Sequence, residues 1–331
     1  MRQYCKRFEK IGKSVRKTAL LLPLFTILVA GGCNSGHNVP DTTGVVNYIN
    51  DMFEQPAKES NGGGGVAQVV KPAVLPDEAS FAGEQVPLNY FDVRESLQRE
   101  LTTIMYWHGS LTYIMQLAGR FQPEIQSVLQ EEGLHPDFFY LCVAESSLQP
   151  VVSPAGAAGY WQFLASTARQ YGLEVSKQVD ERYNLEKSTR AACKFLKEAY
   201  EKFGNWTLAA ASYNIGMKNI SDRIEYQSLS NYYDMQLPIE TARYLYRAIA
   251  FKTIMNNPRA FGFCLEENDR FQPVGYKEVV VKGKIANWSE FAAEHNTNFK
   301  MLKLCNEWIR SNHLDNKKKK AYTVRVPVGR E

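Results

Sequence analysis

From about residue 90 to 260, apolar residues recur every three or four positions, the spacing of helices that bury one face. In RESLQRELTTIMYWHGSLTYIMQLAGRFQPEIQSVLQEEGL, the positions Leu97, Leu101, Ile104 and Met105 keep that period. Gly133 stops this region, and Pro136 with Asp137 suits the first turn of a further helix through DFFYLCVAES. So short an apolar run also fits a strand; the Pro and Asp at its start favour a helix. LEKSTRAACKFLKEAYEKFG and NWTLAAASYNIG each end at a glycine, as helix C-termini commonly do. LPIETARYLYRAIAFKTIMNNP closes the region. No strand is required, so the spacing predicts an all-α domain.

After Pro273 the period changes. KEVVVKG and AYTVRVP read as strands, and NWSEFAAEHN and NFKMLKLCNEWI as helices between them. The result is a small α+β unit of order β-α-α-β, too short to bury much core alone and therefore expected to pack on a neighbour. KKKK at 317–320 reads as a solvated turn. Ahead of the helices, residues 33–86 contain NGGGG, several prolines and KPAVLPDEAS without sustained periodicity, which predicts a flexible tether. The expected organisation is a leader over 1–32, the tether over 33–86, the helical domain over 87–262 and the small unit over 274–328.

Charge changes the picture mainly at the N-terminus. The net charge of +4 includes seven bases and one acid within residues 1–32, which leaves 32 bases against 34 acids elsewhere. The rest of the chain therefore offers no global electrostatic case for nucleic-acid binding. The basic start is followed by TALLLPLFTILVA and then GGC, the layout of a secretory signal and too short for a confident membrane span. Cys33 directly after Gly31 and Gly32 has the look of a bacterial lipoprotein site, although Ala30 stands where Leu is usual. An ordinary signal peptide with an incidental cysteine is the alternative. An acyl anchor at Cys33 would hold the chain on a membrane without spanning it. Asn34, rather than Asp, after that cysteine points towards the outer membrane, facing the periplasm.

The remaining cysteines, Cys142, Cys193, Cys264 and Cys305, form no C-x-x-C pair and no metal-ligand spacing, so neither a metal nor a cofactor is expected. Buried free thiols are the favoured state, with a disulfide open in an oxidising envelope.

One carboxylate stands apart. Glu145 ends the apolar run FFYLCVA, and from Ser146 to Leu173 no other Asp or Glu follows. On one helix, Phe138, Leu141, Cys142 and Glu145 share a face, so the acid extends an apolar stripe. Burial raises a carboxyl pKa, which suits a general acid near neutral pH. A solvent-facing glutamate in a last helical turn is the ordinary alternative. The loop SPAGAAGYWQF begins with turn formers and ends in aromatics and a glutamine, the materials of a sugar-binding wall. Tyr213 and Asn214 close an alanine-rich helix fit for close packing, though aromatics in a core and an asparagine C-cap would account for them too.

LHPDFFYLCVAESSLQPVVSPAGAAGYWQFLASTARQYGL resembles the catalytic core of the soluble lytic transglycosylase superfamily. VDERYNLEKSTRAACKFLKEAYEKFGNWTLAAASYNIG and LPIETARYLYRAIAFKTIMNNP continue the resemblance in order, over roughly residues 87 to 260. It implies a lysozyme-like fold and non-hydrolytic cleavage of the MurNAc–GlcNAc β-1,4 bond of peptidoglycan, leaving 1,6-anhydroMurNAc ends. Glu145 matches the catalytic acid. Ser153 and Gln162 match residues lining the sugar cleft. Tyr213 and Asn214 match a Tyr-Asn pair that orients the acid and contacts the N-acetyl group, Glu240 matches a further polar wall residue, and Tyr244 is its companion. Glu240 could equally be a helix-start acid favoured by the dipole. Ala165, Asn184 and Ser212 depart from the family's usual Pro, Asp and Ala without removing a functional group. The C-terminal unit resembles a degenerate LysM module, whose family binds N-acetyl sugars. The implied partners are peptidoglycan strands and, through Cys33, a membrane. A goose-type lysozyme-like muramidase and an inactive wall-binding lipoprotein remain the alternatives.

Overall fold

The computed structural model describes residues 70–329. The leader, Cys33 and the tether up to residue 69 lie outside the described residues. Among those described, no helix is long and apolar enough to cross a membrane.

The first described elements are two short antiparallel strands, β1 (Ser80–Phe81) and β2 (Glu84–Gln85), joined by Ala82 and Gly83 at positive φ. This corrects the expected tether over its last part, because side chains between residues 73 and 88 enter the core. Phe81 is fully buried, and Ala73, Val86 and Leu88 are buried beside it. Polar contacts fix the hairpin too: Ala82 N donates to Asp137 Oδ2 at 2.8 Å, and Asp137 also takes Lys252 Nζ at 2.7 Å.

Helix α1 (Phe91–Met105) and α2 (His108–Glu131) follow. The long apolar period is therefore two helices, broken at Tyr106 and Trp107. Leu97, Leu101 and Ile104 are fully buried, as their spacing predicts. Pro136–Phe138 form one 3-10 turn that leads into α3 (Phe139–Ser146), where Phe139, Leu141, Cys142 and Val143 are fully buried. Next come α4 (Ala165–Gln170), α5 (Leu185–Phe203), α6 (Trp206–Ile215), α7 (Met217–Gln227) and α8 (Ile239–Asn256). α5 ends at Gly204 in the left-handed region and α6 at Gly216, as expected. Residues of α1, α2, α3, α5, α6 and α8 share one continuous apolar core. Two of the three departures inside this domain, Asn184 and Ser212, are absorbed by local hydrogen bonds. Asn184 Oδ1 caps α5 by accepting from Lys187 N at 3.0 Å, and the buried Ser212 hydroxyl donates to Ala209 O.

The C-terminal unit has the expected order: β3 (Tyr276–Val281), α9 (Trp288–Glu294), α10 (Phe299–Cys305) and β4 (Tyr322–Pro327). β3 and β4 pair antiparallel in the register Tyr276↔Pro327 to Val281↔Tyr322. As expected of so small a unit, its core is shared: Trp288, Leu302, Trp308 and Val324 cluster with Ala158, Val179 and Tyr183 of the helical domain. Backbone bonds Asp180 N to Trp308 O and Arg310 N to Gln178 O stitch the two together. The connector crosses α2 at Gly119, where a Cβ would lie 2.8 Å from Phe271 O. Lys320, last of the lysine run, bonds Glu174 at 2.7 Å, while its three predecessors are exposed. Cys142 and Cys193 are buried free thiols; Cys264 is exposed and Cys305 half-buried, which corrects the uniform burial expected of them.

Candidate active site

α3 delivers Glu145 in its last turn, on the stripe carrying Leu141 and Cys142. The helix stops there because Ser147 and Leu148 both take left-handed backbone conformations, φ 54° and 58°. Neither is a glycine, so the turn is strained, at a cost of order 1–3 kcal/mol per residue. Fully buried Leu148 anchors it from below.

Glu145 is half-buried, and its carboxyl meets a residue of another helix: the Tyr244 hydroxyl of α8 donates to Oε1 at 2.6 Å. Withdrawal from water pushes the Glu145 pKa up to about 7, opposed by the Tyr244 hydrogen bond and the positive charge of Arg247, and reinforced by the negative charge of Glu240. Near neutral pH the group can therefore both give and take a proton.

Glu240 sits exposed in the first turn of α8, one turn before Tyr244. Thr241 lies between them in sequence and is fully buried; its hydroxyl donates to Asn214 Oδ1 at 2.8 Å, which fixes the Asn214 amide and leaves its NH2 facing elsewhere. Asn214 is thus not a C-cap; that position belongs to Gly216. Tyr213 packs edge-on against Trp161, Phe163 and Phe195, and its hydroxyl donates to Trp161 O at 2.8 Å. Its hydrogen bond therefore goes to the loop rather than to the acid. The group that bonds Glu145 is Tyr244.

The loop 151–163 forms a separate wall. Ser153 Oγ accepts from Ala157 N at 3.1 Å and closes its tip. Gln162, at φ 48°, turns its amide inward to Val151 O and Gly159 O, at 3.0 and 2.7 Å. Both side chains thus shape the loop. Gly159 permits the closest approach: at φ 81°, a Cβ would lie 1.9 Å from Arg182 O. Arg182 spans the loop with Nη1 bonds to Gly156 O and Phe163 O, both 3.0 Å, while Asp180 holds its other face at 2.7 Å. Cys142 Sγ to Tyr160 O at 3.4 Å ties the loop to the helix of the acid.

Sequence reasoning missed several members of this arrangement. Arg182 and Asp180 are invisible as loop pins because a single Asp-x-Arg has no spacing signature. Arg247 is one turn beyond Tyr244 on the same face of α8, and helical spacing would have found it. Glu100, only 1% exposed on α1, binds Arg243 at 2.7 Å and lies 3.8 Å from Arg247. A lone glutamate amid an apolar stripe was the available signal. Among the described residues no group of His, Cys, Asp and Glu is placed to hold a metal.

Residues 122–236 match the family described as Transglycosylase SLT domain, and residues 277–330 the Soluble lytic transglycosylase C-terminal LysM-like domain. The chain thus carries an SLT domain with a LysM-like domain behind it. It is 28% identical over 203 residues to membrane-bound lytic murein transglycosylase D of Escherichia coli, in two strains. The match takes in 57% of this chain and 43% of each relative, so it spans less than half the length of those curated proteins.

Proposed function

We propose that this protein is a peptidoglycan lytic transglycosylase with Glu145 as its acid and base. The observation that carries the reading is the Glu145 carboxyl itself, pushed up to about 7 and hydrogen-bonded by Tyr244. The absence of another carboxylate in residues 146–173 agrees with it, since a two-carboxylate glycosidase needs a partner acid. The SLT domain and the curated relatives support the same class.

In this reaction, protonated Glu145 gives its proton to the glycosidic oxygen as the C1–O bond of the MurNAc residue breaks. The resulting carboxylate takes the proton of the same sugar's C6 hydroxyl while that oxygen closes on C1. The products are a free 4-hydroxyl on the leaving GlcNAc and a 1,6-anhydro ring, and Glu145 ends protonated as it began. Tyr244 holds the carboxyl in place through both transfers. Ser153, Gln162, Tyr213, Asn214 and Glu240 form the walls of the glycan cleft, the first three by holding the loop and Asn214 by offering its free NH2 to an acetamido oxygen. An acylated Cys33, joined by the residues that precede 70, would tether the domain to the outer membrane within reach of the wall.

Digestion of purified sacculi with the full chain, followed by mass spectrometry, tests this. Anhydro-ended fragments, lighter by one water than hydrolysed ones, are expected, and Glu145→Gln should release none. Hydrolysed ends would make the enzyme a muramidase; fragment release undiminished in Glu145→Gln would remove the residue from the chemistry.

A further inference from the structure

Among the described residues the most deeply buried carboxylate is Glu100 of α1, and three arginines surround it. Arg243 Nε donates to its Oε1 at 2.7 Å and Arg243 Nη2 to its Oε2 at 3.3 Å, while Arg99 Nε donates to Oε1 at 3.2 Å. Arg247 Nε stands 3.8 Å from Oε2, too far for a hydrogen bond. Arg99 and Arg243 are therefore clamped to the carboxylate, and Arg247 is steered to it by charge alone.

The two arginines of α8 bracket the residue that bonds the acid. Arg243 directly precedes Tyr244, and Arg247 follows it by one turn. Arg247 thus lies between the face of α8 that meets Glu100 and the face that meets Glu145. Its charge already lowers the Glu145 pKa. A guanidinium that swung from one carboxylate to the other would pair with Glu145 and hold it ionised, and an ionised Glu145 has no proton for the glycosidic oxygen. Glu100 competes for that guanidinium from a position water barely reaches, where opposite charges attract most strongly.

We propose that Glu100 is a positioning residue for the acid: it draws the guanidiniums of Arg243 and Arg247 to the α1 side of α8, which keeps Glu145 free of an ion pair and able to carry its proton. This deepens the proposed function and rests on Glu145 being the proton donor. The other groups at the two carboxyls do not supply the role. Tyr244, Tyr213 and Cys142 face Glu145, and Tyr232 faces Glu100; burial pushes all four pKa values well above the usual range. Glu240 is exposed and reaches Glu145 only through its negative charge. Arg99 belongs to α1 itself and shares Oε1 with Arg243.

The test is a carbon-13 NMR titration of the full-length protein labelled at its glutamate carboxyls, with the Glu145 signal assigned by its loss in Glu145→Gln. Glu100→Gln should lower the Glu145 midpoint by at least about half a pH unit, and Glu100→Asp, which keeps the charge, should restore most of it. Arg243→Gln should act in the opposite sense, because Glu100 then holds Arg247 alone and draws it further from the acid. This substitution removes a side chain that is already one-third exposed, so it decides the question even if Glu100→Gln does not fold. Both shifts should vanish in the Arg247→Gln background, and the alkaline limb of sacculus digestion should follow the midpoint in each variant. An unchanged or raised midpoint in Glu100→Gln, or an unchanged or lowered one in Arg243→Gln, overturns the proposal. So do shifts of equal size without Arg247, which would mean that the charges act on Glu145 directly. The titration gives its answer whether or not sacculi are cleaved, so a failure of the proposed reaction is read separately in the digestion.

Discussion

The Tyr244 hydroxyl donates to Glu145 Oε1 at 2.6 Å, joining residues 99 positions apart on α8 and α3. That bond favours the carboxylate, because a donor stabilises the charged form. Tyr244→Phe should therefore raise the Glu145 pKa further and carry the alkaline limb of the activity profile to higher pH. A hydrogen bond to a charged group contributes about 1.5–3 kcal/mol, so kcat should fall by roughly 10- to 100-fold as the acid loses its orientation. Sacculus solubilisation followed from pH 5 to 9 checks both.

Burial makes Glu145 a cost to the folded state above its unfolded pKa. With the folded value near 7 and the ordinary one at 4.5, the folded protein binds more protons between them, so stability falls as pH rises through that window. Glu145→Gln should consequently be more stable than the parent by ~1–3 kcal/mol at pH 8 and indistinguishable from it at pH 4. Urea denaturation at the two pH values reads this directly. A gain of equal size at both would mean the carboxyl is not held neutral.

Arg247 lowers the Glu145 pKa through its charge, while Glu240 raises it. Arg247→Gln should move the alkaline limb up and Glu240→Gln should move it down, in opposite directions on one assay. The other groups facing the acid are Tyr244, Tyr213 and Cys142, and burial pushes each of their pKa values well above the usual range, so none titrates in this window.

Glu100 is buried against Arg243 and Arg247. Glu100→Ala leaves two guanidiniums without their carboxylate, and breaking a buried pair costs about 3–5 kcal/mol; the partial exposure of both arginines puts the expected loss near the lower figure. Chemical denaturation measures it.

Gly159→Ala should be worse than its size implies. The methyl group has no room beside Arg182 O, and φ 81° strains any side chain. The loop must shift, the Arg182 bonds to Gly156 and Phe163 must loosen, and glycan cleavage should fall with thermal stability. A melting scan with the digestion assay tests the two together.

What the sequence made legible was local. The period of α3 put Glu145 on the Leu141 and Cys142 face, and the glycines after α5 and α6 marked where those helices end. The β-α-α-β order of the last segment was equally plain, because alternation and helical spacing are visible within ten residues. Hidden were the partners fixed only by tertiary approach. Glu84 accepts from Trp206 N and Thr207 N at the start of α6, 122 and 123 residues away, and nothing in a Pro- and Gly-bearing stretch announces it. That is why this stretch read as tether although Ala73, Phe81, Ala82 and Val86 within it belong to the core. Ser153 and Gln162 were expected along the cleft, yet their hydrogen bonds turn into their own loop, since small polar side chains satisfy the nearest backbone groups first.

The shared core of Trp308, Val179 and Tyr183 bears on any attempt to shorten this protein. Cutting at the connector would not unclip a passive appendage. It would strip the outer buttress from the segment whose Asp180 and Arg182 brace the cleft loop, leaving tyrosine and valine side chains wet. The tail is masonry for the helical domain, and a graft of it onto another scaffold would need to bring that footing along.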